Sequence, residues 1–343
     1  MMTSRVTSLD VAQRAGVSQS AVSRVFTPGA SASEKTTAKV RKAAAELGYR
    51  PNSLARAMVS GKSGIIGLIV AYLGNQFYPT VLEQLSEKLQ NKGYHVLVFM
   101  ASQTAGNFDN VVEELLDYQV DGIIAASVAL SSDLSERCRT AGVPMVLFNR
   151  SLDDPELSAV TSDNFSGGRD VARLLVAGRH RRIAYIAGWE GASTQRDREA
   201  GFRAGLEEAG LQLFARGVGD FKQETARRVT LDMYENGAGP DAIFVANDHM
   251  AFSVMDCLRS ELGRRIPEDV SVIGYDDVKA AGWPAYDLTT VHQPAGEMVD
   301  KTVEILMEQI ESRDTAPKQI AIRRPLTIRG SARIPKGWKH EGV

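Results

Sequence analysis

Apolar residues follow two different rhythms along this chain. Up to about residue 50 they recur at helical intervals of three and four, and from Ile65 onward they gather into short continuous runs between amphipathic stretches. The first region predicts three short helices. Thr7 and Asp10 have capping-box spacing, and Leu9, Val11, Ala12 and Ala15 supply the apolar positions of the first helix. Gly16 can take the left-handed conformation of a tight turn. Ser18 is a good N-cap for a second helix whose Val22 and Val25 face inward. A third helix starts near Ser33, buries Val40, Ala44 and Leu47, and ends at Gly48 with Pro51 beyond it.

Residues 52–59, NSLARAMV, have helical character but only two turns' length, and a helix that short is marginal in water on its own. The SGKSG that follows reads as a linker. After it come the apolar runs GIIGLIVAYL, HVLVFMA, DGIIAAS, VPMVLFNR, RRIAYIAG, DAIFVAND and SVIGYDD. Near-continuous apolar strands are covered on both faces, and their alternation with helices predicts parallel sheets. The runs fall into two series, before and after about residue 160. The expected fold is therefore α/β: a small all-α head, then a body of two subdomains with a ligand cleft at the carboxyl ends of their strands.

Charge divides the chain at nearly the same place. Residues 1–62 carry ten Lys or Arg against three acids, a net of +7, whereas the remaining 281 residues hold thirty against thirty-nine, a net of −9. A basic head on an acidic body suits a polyanion-binding head. A purely structural three-helix cap would share the turn glycine but would not explain the charge. No run approaches the 18 or more apolar residues of a membrane span, and MMTSRVTSLD lacks the apolar core of a secretory signal, so a cytoplasmic protein with no membrane partner is expected. Cys138 and Cys257 lie far apart in apparent helices and read as buried thiols of a reducing compartment. Nothing has metal-ligand spacing, and no cofactor is expected.

In helix–turn–helix packing the second helix enters the major groove and its first residues meet base edges. Here those are Ser18, Gln19 and Ser20, with Ser23 and Arg24 one turn on. Gln can contact adenine bidentately, Arg guanine, and Ser either a base or a phosphate.

The motifs DVAQRAGVSQSAVSRV, KTTAKV and AAELGYRPNSLAR, continued by VLFNR, HRRIAYIAG, VANDHMA, VIGYDD and LTTVHQP, resemble the LacI/GalR family of bacterial repressors over about residues 5–332. The resemblance implies a homodimer on a pseudo-palindromic operator. Base contacts fall on Gln19, Ser20 and Arg24, and phosphate contacts near Ser18, Ser33 and Thr36. It implies a hinge that folds on DNA, with Asn52, Ala55 and Arg56 lining the minor groove and Met58 as the apolar wedge where Leu is usual. The implied domains are a 1–50 head, a 51–63 hinge and a 64–343 effector-binding and dimerisation body of the periplasmic-binding-protein type I fold. Its subdomains would be about 64–160 with 292–325, and 161–291 with 326–343, joined by crossovers near 160, 291 and 325.

Mapped position by position, the resemblance places effector contacts at Phe77, Asn149, Arg196, Phe221, Asn247, Asp276 and Gln293. Arg196 could instead pair with Asp197 or Glu199, and Asp276 could cap the next helix. Many sugar-binding members carry Asp where this chain has Asn149, so the cleft is less negative and suits a sugar acid as well as a sugar. Trp283 and Tyr286 make the WPAYDLTT loop bulkier than usual. The tail after Gly330 has no heptad repeat, so a dimer made through the body is expected rather than a coiled-coil tetramer. A solute-binding protein would share the body but not the basic head. An enzyme would draw on Asp276, Asp277 or His249 for acid–base chemistry, and no nucleophile or phosphate loop accompanies them.

Overall fold

The computed structural model describes residues 6–27, 30–50, 62–100, 108–126, 137–151, 156–235, 237–312 and 316–338. The chain divides into two compact units, residues 1–64 and 65–343. The predicted hinge residues Asn52, Ala55, Arg56 and Met58 lie outside the described residues.

The first unit is built from α1 (Ser8–Ala15), α2 (Gln19–Phe26) and α3 (Glu34–Leu47). The capping box closes as its spacing requires: the Thr7 amide donates to Asp10 Oδ2 at 2.8 Å, and the Asp10 amide to Thr7 Oγ1 at 3.4 Å. Gly16 turns the chain at φ 65°, and Gly48 ends α3 at the same φ. Ser18 and Ser33 cap α2 and α3 by accepting from the Ala21 and Thr36 amides. Val11, Ala12, Val22, Val40, Ala43 and Ala44 form the core, with Val17, Val25 and Leu47 packed at its edge. Leu9 departs from the expected stripe and is 51% exposed, because it sits round the helix from Val11 and Ala12.

The second unit holds two six-stranded sheets. The first is formed by β1 (Ile65–Val70), β2 (His95–Met100), β3 (Gly122–Ala126), β4 (Met145–Phe148), β5 (Ser158–Ser162) and β11 (Gln319–Ile322), in the spatial order β11-β5-β4-β3-β1-β2 and parallel throughout. The second is formed by β6 (Ile183–Ala187), β7 (Ala215–Val218), β8 (Ala242–Val245), β9 (Ser271–Asp276), β10 (Thr289–His292) and β12 (Leu326–Thr327), in the order β12-β10-β9-β8-β6-β7. Only the β12 pairing is antiparallel. The chain leaves the first sheet after β5, returns to it after β10, and crosses once more between β11 and β12.

Sequence periodicity finds seven of these twelve strands. It misses β5 (SAVTS), β7 (ARGV), β10 (TTVH), β11 and β12, which are short and carry polar residues in place of an apolar run. β2 departs in the other direction. It reads as a strand covered on both faces, yet it lies at the sheet edge with Val98 and Met100 41% and 50% exposed.

The body's helices begin with α4 (Phe77–Asn91), α5 (Phe108–Asp117), α6 (Asn164–Ala177) and α7 (Ser193–Glu207), of which α4, α6 and α7 bear on the site. α6 and α7 cross at backbone contact. A Cβ on Gly168 would lie 2.1 Å from the Arg198 carbonyl oxygen, and one on Gly201 would lie 1.9 Å from that of Phe165. On the same face of α7, Phe202 packs on Phe244 and Tyr185 with ring centroids 4.9 and 5.7 Å apart. The face of the helix that carries Arg198 is thus held by backbone and ring contacts together.

Candidate functional sites

In the head, burial of Val22 at 1% exposure fixes which side of α2 turns outward. Ser18, Gln19, Ser20, Ser23 and Arg24 are all exposed on it, as is Ser33 on α3, while Thr36 is half-buried. The row is partly pre-set: Gln19 Nε2 donates to Ser8 Oγ at 2.9 Å, and the Ser18 and Ser20 hydroxyls are 3.0 Å apart. Short polar side chains on a rigid helix N-terminus suit base edges and phosphates.

In the body, a cleft is lined by Tyr72, Asn75, Tyr78, Asn149 and Arg150 from the first sheet's half. Thr194, Arg198, Phe221, Asn247 and Asp276 line it from the second. These residues follow the carboxyl ends of β1, β4, β7, β8 and β9 or begin α7. Three take positive φ at the point where a strand ends, Asn149 at 60°, Phe221 at 56° and Asp276 at 126°. Such backbone is costly for non-glycine residues and clusters at ligand sites, and here it turns the three side chains into the cleft. Phe221 lies against Gly188, where a Cβ would come within 2.2 Å of its ring.

The polar groups form one network. Asp276 accepts from Asn75 Nδ2 at 2.9 Å and Gln293 Nε2 at 2.6 Å, and lies 3.8 Å from Arg198 Nη2. Arg198 also donates to Asn164 Oδ1 at 2.8 Å and to the Ala246 carbonyl at 2.5 Å, and stacks 3.6 Å from the Tyr275 ring centroid. Burial pushes the Asp276 carboxyl up to about 6, against the opposing pull of Arg198, Asn75 and Gln293. Four buried polar atoms on the lining have no hydrogen-bond partner: Asn149 Oδ1, Arg150 Nε, Arg150 Nη1 and Asn247 Nδ2. Orphaned groups of both polarities are what a ligand rich in hydroxyls would satisfy.

Asn149, Phe221, Asn247 and Asp276 therefore meet at the cleft, and the other three expected contacts do not line it. Gln293 stands one layer back, bridging Asp276 to Ser162 Oγ at 3.0 Å. Phe77 turns into the core and stacks on Phe148 with centroids 6.3 Å apart, leaving its neighbour Tyr78 on the lining. Arg196 does not line the cleft. It is exposed, and Arg198, two residues and about half a turn on, takes the cleft position. The signal lay in Gly201, Phe202 and Gly205, which share the packed face of α7 with Arg198 and not with Arg196. Tyr72, Asn75, Tyr78, Arg150 and Thr194 were also missed.

Asp277, weighed as an acid–base group, is a structural clasp. It accepts from Arg329 Nη2 at 2.6 Å and Thr327 Oγ1 at 2.8 Å, and lies 2.9 Å from His292 Nδ1. Burial works to raise its pKa, but these three partners hold the carboxyl down at about 2. Cys138 and Cys257 are buried and free. Among the described residues no helix is long and apolar enough to cross a membrane.

Residues 7–52 match the profile of bacterial regulatory proteins of the lacI family, and residues 171–332 match a periplasmic binding protein-like domain. The chain is 31% identical over 330 residues to the HTH-type transcriptional regulator CelR of Thermobifida fusca, covering 94% of this chain and 96% of that one. The chain belongs to the lacI family. This lacI-family chain is likewise 30% identical over 329 residues to the ribose operon repressor of Escherichia coli K12, covering 94% and 98% of the two chains. It superposes on the lac repressor dimer bound to operator and the anti-inducer ONPF with a TM-score of 0.85 at 29% identity, covering 95% and 99%. It is a DNA-binding transcriptional repressor and not an enzyme.

Proposed function

We propose that this lacI-family repressor binds a pseudo-palindromic operator as a homodimer in the cytoplasm, and that a small sugar or sugar acid in the body's cleft controls the binding. The outward row Gln19, Ser20 and Arg24 over a buried Val22 is the observation that carries the DNA half of this reading. Gln19 and Arg24 read bases, and Ser18, Ser23, Ser33 and Thr36 position the head on phosphates. The hinge, with Asn52, Ala55, Arg56 and the Met58 wedge, joins the 1–50 head to the 64–343 body and folds on DNA.

Two observations support the rest. The apolar edge strand β2, with Val98 and Met100 exposed, offers a surface for a second copy. In the cleft, Asp276 contacts Gln293, just past β10, and Gln293 contacts Ser162 at the end of β5. A ligand on Asp276 therefore acts on two of the three crossovers between the halves, so differential binding to two subdomain angles gives a two-state switch.

Operator selection from random DNA, repeated with a metabolite panel, tests the reading. Arg24→Ala should relax one base pair by about 1–3 kcal/mol if it reads a guanine. A loss spread evenly over all sequences would make Arg24 a phosphate contact instead. A stable monomer at micromolar concentration in sedimentation would contradict the dimer.

A further inference from the structure

The cleft holds a positive charge that no ion pair among the described residues neutralises. Arg150 follows Asn149 at the end of β4, with only 5% of its surface exposed. Its guanidinium stands 5.2 Å from the ring centroid of Trp189, just past β6, and its Nε and Nη1 have no hydrogen-bond partner. Arg198, the other cleft guanidinium, has Asp276, the Ala246 carbonyl and Asn164. Arg150 makes no such ion pair among the described residues. A buried, unpaired cation is among the costliest groups a fold can keep, so its retention at a ligand cleft points to a partner supplied from outside.

We propose that Arg150, held over Trp189, reads a carboxylate, and that the effector is a sugar acid. The assignment rests on the proposed effector role of the cleft and names the ligand class it takes. A guanidinium held over an indole by a cation–π contact keeps N–H donors that can take a carboxylate bidentately. The charge count agrees: two guanidiniums face one aspartate, so the lining lacks a single negative charge, which a monoanion supplies. An aspartate at 149 would stand next to the cation and cancel it, whereas the Asn149 amide leaves it charged and keeps Oδ1 free to accept from a hydroxyl. Asn247 Nδ2 is the matching free donor, and Phe221 offers an apolar face to the sugar ring.

Calorimetry on the full chain decides it, using glucuronate, galacturonate and gluconate against glucose, galactose and glucose 6-phosphate. At least one acid should bind 100-fold or more tighter than its neutral parent. Arg150→Gln should weaken that acid at least 30-fold and shift the neutral parent less than threefold. The same variant, freed of its unpaired cation, should melt about 2–4 °C higher than the unliganded wild type, which also shows that it folds. Equal binding of parent and acid, preference for the phosphate ester, an acid indifferent to Arg150→Gln, or no binding by any panel member would each overturn the proposal. Operator titrations separate the two readings. An acid with the Arg150 signature that leaves operator affinity unmoved sinks the regulatory role of the cleft and keeps the carboxylate assignment. A neutral sugar that releases operator from both wild type and Arg150→Gln does the reverse.

Discussion

Asn75 donates its side-chain amide to the Asp276 carboxylate across the cleft, Nδ2 to Oδ2 at 2.9 Å, with both residues buried. The other end of the same amide, Oδ1, accepts from the Phe77 backbone N–H at 3.0 Å and so fixes the start of α4. One side chain therefore sets a helix of the first half and clasps a strand end of the second. Ser151 N–H to Ser193 Oγ at 3.1 Å is a second direct bridge between the walls. Hydrogen bonds to a charged partner contribute about 1.5–3 kcal/mol.

Asn75→Ala should accordingly loosen the closed cleft and weaken the effector by about tenfold, because the bound form must then be closed without that bridge. Binding calorimetry reads the affinity, and small-angle scattering of the unliganded protein should show a more open body. If affinity rises instead, Asn75 competes with the ligand for Asp276 and the clasp is an inhibitor of binding.

How far the site was legible in the sequence depended on the type of position. Asn149, Asn247 and Asp276 each stand at the carboxyl end of an apolar run, the end that faces the ligand in a parallel sheet, and the family resemblance picks them out there; Phe221 follows the unseen β7 and came from the resemblance alone. Helix phase was harder. Arg196 and Arg198 differ by two residues in an arginine-rich run, and only the glycines that let α6 approach α7 distinguish the inward one. Phe77 and Tyr78 differ by one residue at a helix start, and the choice between core and cleft is made by Phe148, which is remote in sequence. The five unseen strands fail for a related reason: SAVTS and TTVH are buried through hydrogen-bonded hydroxyls, not apolar side chains, as Thr289 and Ser158 illustrate. The head was almost wholly readable, since its caps and turns are local and each has its own residue signature.

Asp276 and Asp277 are neighbours whose contributions to stability should depend on pH with opposite sign. Asp276 has a folded pKa of about 6, raised by burial above the ~3.9 of an unfolded chain. Its ionised form is the costly one, so its contribution is most favourable below pH 4, declines as pH rises from 4 to 6, and stays reduced above. Asp277, at about 2, is depressed below its unfolded value by His292, Arg329 and Thr327 against the burial cost. Its contribution is present above pH 4 and is lost as pH falls toward 2. Urea unfolding of Asp276→Asn and Asp277→Asn from pH 3 to 7 checks both. Relative to wild type, Asp276→Asn should gain stability as pH rises, and Asp277→Asn should lose it. Parallel pH curves for the two variants would refute the assignment.

The crossing of α6 and α7 gives the last prediction, because it sets the position of Arg198 through backbone contact. A methyl group at Gly201 would come within 1.9 Å of the Phe165 carbonyl oxygen, which cannot move without shifting α6. Overpacking of this kind costs about 1–3 kcal/mol, and more when backbone is the obstacle. Gly210 supplies the contrast: its φ is 67° and nothing lies within 4 Å of the added atom. Alanine there meets only the left-handed penalty of about 1–2 kcal/mol and touches no part of the site. The two substitutions should therefore differ in kind. Gly201→Ala should lower stability and also weaken effector binding at least tenfold, since pushing α7 away draws Arg198 off Asp276 and Tyr275. Gly210→Ala should lower stability alone. Denaturation and effector titration on both variants separate the cases, and a Gly201→Ala protein with unchanged effector affinity would mean that Arg198 is held by Asn164 and Ala246 independently of the helix crossing.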